Sequence, residues 1–300
     1  MTSDNDADAT RDPSRVALVT CAELADLDPD DRRLIEPLRR LGVHAEAAVW
    51  DDPTVDWAGY DLAVLRSTWD YPGRRDAFVA WAAAVPRLAN PAAVVAWNTD
   101  KRYLAELRAA GTPVVPTTWL TSGQPWGAPE HGVVVVKPAI GAGSLDAGRY
   151  DLADAEQRRL AGELIDRLHA TGRAAMVQPY LSAVDTYGET ALLFLGGGYS
   201  HAVRKGPLLT GPRTDVEGLF KVEEITPREA TPAELAVAHR ALSAVPGGAG
   251  ALLYARVDLI PGEDGEPLLV ELELAEPSLF LGYADGAVDR CAAAIAALVR

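Results

Sequence analysis

Apolar runs of strand length alternate along the chain with amphipathic stretches of helix length. VALVTCAE, which follows Arg15, is such a run, as are Val43–Trp50 (VHAEAAVW) and Asp61–Ser67 (DLAVLRS). Asp30–Leu41 reads as one helix closed by Gly42, and Arg74–Val85 as another. Strand–helix alternation of this kind predicts a parallel sheet covered by helices, with ligands gathering beyond the carboxyl ends of the strands. RSTWDY (Arg66–Tyr71) follows the third strand at that place and is the first candidate for substrate contact.

The pattern changes near Asn90–Pro91. NTDKRYLAELRAAG (Asn98–Gly111) reads as a helix with Asn98 or Thr99 as N-cap and Gly111 as its stop. PVVPTTWL reads as an extended strand, and a Gly/Pro/Ser loop (Thr121–Gly132) leads into VVVVKPAIGAGS. Asp154–Thr171, Pro232–Ala244 and about Ala287 to Val299 read as helices, and MVQPYL, ETALLFLGGGYSHAVRK, ALLYARVDLI and EPLLVELELAEP as strands punctuated by Gly. The expected class is α/β: a βαβ domain over residues 15–90, then a second domain over 91–300 with parts at about 112–175 and about 176–300. No internal repeat is present. The polar, acidic stretch Met1–Ser14 is expected to be a disordered tail.

Composition narrows the functional classes. The 300 residues carry a net charge of −15, with pI near 4.7 and no Lys/Arg cluster, which argues against nucleic acid as a partner. Cys21 and Cys291 lack CxxC spacing, and no run approaches the roughly 18 apolar residues of a membrane span, so a cytoplasmic protein is expected. The five histidines show neither HxH nor HExxH spacing, and Ser144 lacks the GxSxG context. Zinc hydrolysis and serine nucleophilic catalysis are therefore disfavoured.

Four elements remain. In VVVVKPAIGAGS, four β-branched residues imply a strand buried on both faces, with Lys137 emerging beside Gly141, Ala142, Gly143 and Ser144. Small residues let backbone N–H groups approach an anion, although the Lys precedes the glycines, unlike a Walker A loop. The plain alternative is a Gly turn with an exposed Lys. Glu271 and Glu273 share one strand face, about 7 Å apart, and the turn GEDGEP can bring Asp258 alongside them. A cation would relieve their repulsion, and an all-oxygen set suits Mg²⁺ or Mn²⁺; an ordinary exposed strand face is the alternative. MVQPYL can present a strand end to a purine edge. Arg204, Lys205 and Arg256 sit in apolar runs, where a cation needs an anionic partner.

In order and spacing these elements resemble the ATP-grasp superfamily, in particular its glutathione-synthetase-type branch, from about Asn90 to Ser278. The resemblance implies two subdomains clamping a nucleotide. It implies ATP contacts from Lys101, Lys137, Gly141, Gly143, Ser144, Gln178, Tyr180, Leu181 and Glu189, and metal ligation by Asp258, Glu271 and Glu273. Arg204 and Arg256 are the implied catalytic cations, with Arg66, Ser67, Trp69, Asp70 and Arg204 facing substrate. The family's usual Glu-x-Asn reads Glu271-Leu-Glu273 here, which puts the second-metal geometry in doubt.

The chemistry so implied is Mg²⁺-assisted attack of a carboxylate on the γ-phosphate of ATP, then attack of a nitrogen on the acyl phosphate, with ADP and phosphate released. The loop Gly141–Ser144 would act as a lid. TCAELADLDPDD, WDDPTVDW, LRSTWDY and NTDKRYL further resemble the small actinobacterial-type ATP-grasp enzymes that include cycloserine synthetase, which implies intramolecular ring closure of an O-ureido-serine. Intermolecular peptide-type ligation and a non-catalytic nucleotide-binding regulator are the other readings. The expected partner is a small amino-acid-like molecule, not nucleic acid or membrane, and a homodimer is left open.

Overall fold

The computed structural model describes residues 13–209, 211, 212, 219 and 224–300. The expected tail falls almost wholly outside them; its last residue, Ser14, already belongs to a strand. The first layer comprises β1 (Ser14–Thr20), α1 (Pro29–Arg32), α2 (Ile35–Arg40), β2 (Val43–Val49), β3 (Leu62–Ser67), α3 (Arg75–Ala84) and β4 (Leu88–Ala89). Its four strands are parallel in the order β2-β1-β3-β4. The single helix expected over Asp30–Leu41 is two helices. Pro37 cannot donate to a preceding turn and clashes with the carbonyl four residues back, so it fits only in the first turn of a helix that starts at Ile35.

Next come α4 (Ala92–Asn98) and α5 (Tyr103–Ala109). Asn98 ends a helix rather than starting one. Its amide bonds the backbone of the last strand instead, donating to Leu272 O at 2.7 Å and accepting from Leu274 N at 2.7 Å. Lys101 therefore sits in the tight turn between α4 and α5.

Two antiparallel sheets follow. β5 (Thr118–Leu120), β6 (Val133–Pro138), β7 (Gly148–Asp151), α6 (Ala155–Ala170) and β8 (Ala175–Pro179) form a sheet ordered β5-β8-β6-β7, with α6 on one face. The strand expected over PVVPTTWL is cut to three residues, because Pro113 and Pro116 supply no ladder donors. The four-valine strand is not buried on both faces: Val134 and Val136 pack toward α6, while Val135 and Lys137 line an open cleft. Its pairing is antiparallel on both sides, and antiparallel sheets tolerate one open face.

The last sheet takes in α7 (Ala183–Thr186), β9 (Glu189–Leu195), β10 (Gly198–Lys205), β11 (Ile225–Arg228), α8 (Pro232–Ser243), β12 (Tyr254–Pro261), β13 (Pro267–Glu273) and α9 (Ala287–Ala297), with strand order β11-β10-β9-β12-β13. On β9 the alternation is strict. Leu192 and Phe194 pack with α8, whereas Ala191, Leu193 and Leu195 join α9 and the inner residues of β1–β3 in one core. Helix α9 is thus wedged between the first sheet and the last, and the cleft opens between the two antiparallel sheets and the carboxyl end of β3. Cys21 and Cys291 are buried and unpaired. Among the described residues, no helix is long and apolar enough to cross a membrane.

Candidate active site

The main cavity, about 400 Å³, is floored by β12 and β13 and roofed by β6, β8 and the β6–β7 loop. The β12–β13 register sets Asp258 opposite Glu271 and Arg256 opposite Glu273, so period-two alternation brings the three expected metal carboxylates to one face. Glu271 is the hub of the phosphate side. Lys101 Nζ lies 3.0 Å and Lys137 Nζ 3.8 Å from its carboxylate, and Lys101 also donates to Gly141 O at 2.6 Å. Gly143 (φ +61°) and Ser144 (φ +61°) turn the loop through the left-handed region, where Gly143 is unstrained. Gly141, Gly143 and Ser144 all line the cavity.

Arg256 donates through Nε and Nη2 to both oxygens of Asp258, each at 2.9 Å, and Nη2 also reaches Glu273. Lys205 Nζ bonds Asp258 at 2.9 Å and Glu189 at 3.2 Å. Burial opposes an ionised Asp258, but Arg256 and Lys205 outweigh it and hold the carboxyl at about 2. For Glu271, too, burial is outweighed, here by Lys101 and Lys137, and the carboxyl is lowered. Glu273 is different: burial, with Arg256 only partly compensating, pushes it up to about 8. Burial likewise lowers Lys137, and the nearby Lys101 adds to this against Glu271. An anion placed there would favour the charged ammonium.

Among the described residues, no three His, Cys, Asp or Glu side chains converge tightly enough to enclose a metal ion. The donor chemistry still suits Mg²⁺: the acids are oxygen-only, share one face, and Glu273 is under-compensated.

At the end of β8, Gln178, Tyr180 and Leu181 line the same cavity. Gln178 donates to Thr117 Oγ1 at 3.0 Å, and Tyr180 lies 3.9 Å from the Arg149 guanidinium and bonds Asp185. Glu189 and Trp69 also face the cavity.

Five expected residues lie off the wall of this cavity. Arg204 points to the other face of β10 and donates to Tyr187 O at 2.8 Å; its neighbour Lys205 is the cation that enters the cleft. Arg66 is fully buried against Asp31 at 2.9 Å, and Ser67 donates to the same carboxylate at 2.6 Å. They anchor the strand end rather than face substrate. Asp70 accepts from Trp50 Nε1 at 2.9 Å and pairs with Arg74, lining only a small side groove. Asp258, 2% exposed, is not on the cavity wall itself but is held behind it by Lys205 and Arg256.

Asn98, Glu276, Ser278 and Phe280 on the cavity wall were not expected there; Lys205 and Tyr71, also on it, lie in stretches the sequence singled out without being chosen as site residues. Tyr71 carried a signal, two positions beyond Trp69 in the same segment. Glu276 is a further acid in ELELAEP.

A family model for the N-terminal domain of D-cycloserine synthetase DcsG matches residues 16–90. The cycloserine biosynthesis protein DcsG of Streptomyces lavendulae is 39% identical, in an alignment covering 94% of this chain and 97% of that protein. The chain belongs to the D-cycloserine synthetase family. The crystal structure of D-cycloserine synthetase DcsG superposes with a TM-score of 0.86 at 37% identity, covering 96% of this chain and all of that one. The ATP-grasp ligase PsnB, solved with minimal precursor, Mg and ADP, shares the fold at a TM-score of 0.61 and 19% identity, over 98% of this chain and 100% of that one.

Two outcomes test this geometry in a D-cycloserine synthetase family member. Lys205→Ala is expected to lower kcat/KM by roughly 10²-fold or more, because it removes a charge aimed at the reacting anions. Arg204→Ala, on the opposite strand face, should stay within a few-fold. Steady-state ADP release decides it, and the reverse ranking would return Arg204 to the site.

The second outcome is a pH dependence. Burial pushes Glu276 up to about 7 from an ordinary 4.5, despite Lys101 and a hydrogen bond from Tyr71. A carboxyl raised in the fold favours the folded state below its unfolded value, and that contribution is lost as pH rises through about 7. Glu276→Gln should therefore flatten the fall in stability between about pH 5 and about pH 8 by roughly 2–3 kcal/mol. Urea unfolding with chelator and no nucleotide measures it; an unchanged pH dependence would contradict the uncharged, buried carboxyl.

Proposed function

We propose that this chain is an ATP-dependent ligase that activates a substrate carboxylate as an acyl phosphate and closes O-ureido-D-serine to D-cycloserine, releasing ADP and phosphate. The observation that carries the reading is the convergence of Lys101, Lys137, Lys205 and Arg256 with Glu271 and Glu273 on one cleft, next to a strand end suited to a purine.

Gln178, Tyr180 and Leu181 take the adenine side, and Glu189 lies between that end and Lys205. Lys101 and Lys137 receive the phosphates, with the β6–β7 loop folding over them. Glu271 and Glu273, the two acids of this strand face that reach the cavity wall, would hold Mg²⁺, with Asp258 behind them fixing Lys205 and Arg256; the ion would supply neutralisation of the phosphate charge. Lys205 and Arg256 stabilise the charge that develops as a carboxylate oxygen attacks the γ-phosphorus and ADP leaves. The ureido-bearing nitrogen then attacks the acyl carbon; the C–N bond forms as phosphate departs. Cycloserine lacks the carbamoyl group, so a hydrolytic transfer of that group to water accompanies ring closure.

The test is ADP release from MgATP with O-ureido-D-serine, with product mass read in parallel. The expected result is ADP formation matched by cycloserine. ADP formed only when a second amine is added would instead indicate intermolecular ligation. Tight ATP binding with no ADP from any carboxylate would sink the ligase reading.

A further inference from the structure

Four carboxylates line the cavity: Glu189, Glu271, Glu273 and Glu276. Three of them have cationic partners, Lys205, Lys101 and Arg256 respectively. Glu276, 8% exposed, forms no ion pair among the described residues. Its carboxyl takes a hydrogen bond from the buried Tyr71, and its backbone carbonyl accepts from Trp69 Nε1 at 2.9 Å. A buried carboxylate without a counter-ion is costly, so this position is built either to stay neutral or to receive a cation from a ligand.

We propose that Glu276 accepts the α-ammonium of an amino-acid substrate, oriented by Tyr71 and walled by Trp69 and Phe280. A compact ammonium suits the place, because Glu276 is bordered by Tyr71 and Trp69, whose rings attract an organic cation. The reacting carboxylate of the same molecule would then extend toward Arg256, which lies 5.5 Å from the Phe280 ring and near Ser278 O. The ring closes between the ureido-bearing nitrogen and the activated carboxyl carbon, so the ammonium takes no part in bond making. It fixes which rotamer of the substrate meets the γ-phosphate. The substrate class is thereby narrowed to small molecules with a free α-amine.

This inference rests on the ligase reading. The test compares O-ureido-D-serine with its analogue lacking the α-amine, 3-(ureidooxy)propanoate, in wild type and Glu276→Gln. In wild type the analogue should have a KM roughly 10²–10³-fold higher. Glu276→Gln should raise the KM of the amine-bearing substrate by a similar factor, leave the analogue nearly unchanged, and keep the KM for ATP within about twofold. Equal losses for both compounds, or no discrimination by wild type, would overturn the assignment and reduce Glu276 to a structural role. Tyr71→Phe, expected to show the same selectivity at smaller amplitude, decides the matter if Glu276→Gln fails to fold. Should wild type release no ADP with either compound, the ligase reading fails on its own. Calorimetric binding of the two compounds in the presence of ADP and Mg²⁺ then still decides between ammonium recognition and none.

Discussion

Replacing Glu271 by Gln is expected to lower kcat by roughly 10²–10⁴-fold, the range seen when a preorganised charge at a reacting phosphate is lost. The cause lies in the two lysines that Glu271 holds, Lys101 at 3.0 Å and Lys137 at 3.8 Å. Without the carboxylate these ammonium groups repel each other across the cleft, and the proposed metal site loses one of its acids. Lys137→Ala should cost a comparable factor from the other side of the same contact. Single-turnover ADP formation measures both effects. Full turnover in either variant would show that the phosphate or metal site has been placed wrongly.

The second large effect concerns stability, at the buried pair beneath the cleft. Arg66 is fully enclosed; its Nε donates to Asp31 at 2.9 Å, its guanidinium sits 5.0 Å from the Tyr254 ring, and Nη2 reaches the carbonyl of Pro277. Burial opposes the guanidinium's charge, but Asp31 outweighs it and raises the group. Arg66→Met leaves Asp31 as an uncompensated buried charge, and so should cost about 3–5 kcal/mol. For a domain stable by only about 5–15 kcal/mol this is a large fraction. Asp31→Leu should cost a similar amount, while the double variant Arg66→Met/Asp31→Leu should recover much of the loss. Urea unfolding of the four proteins tests it. Strictly additive losses would mean that the pair is not coupled.

Arg66 also illustrates what a sequence can and cannot disclose. An Arg in an apolar strand signals that some anion must meet it, and the expectation was a substrate. The anion is Asp31, 35 residues earlier on α1, a pairing that no local pattern encodes. Arg204 and Lys205 pose the same problem in miniature. Adjacent cations on a strand necessarily face opposite sides, and only the pairing of β10 with β9, itself paired with β12, decides which side is the cleft. Asn98 had the composition of an N-cap, yet its amide is spent across the molecule on the backbone of β13.

Legibility was highest where chemistry and period coincide. Asp258, Glu271 and Glu273 were placed correctly on one face because a short hairpin with a period of two leaves few alternatives. Lys137 and the small residues after it emerged at the strand end as expected, although the strand itself is open on one side. The charged strand face and the small-residue loop beside it were therefore readable from neighbouring residues. The other end of the cavity wall joins Trp69 and Tyr71 to Glu276, from distant segments brought together only in the fold.

The wedged position of α9 bears on how the chain is made. The inner face of the first sheet, with Val16, Leu18, Val43, Leu62 and Val64, is sealed by Ala287, Cys291, Ala292 and Ile295. Roughly 200 residues separate the two in synthesis, about 10–40 s at ordinary ribosomal rates of ~5–20 residues per second. Throughout that interval the earliest part of the nascent chain carries an uncapped, sticky β-surface. Until α9 docks, the first sheet therefore keeps an open apolar face that can associate wrongly.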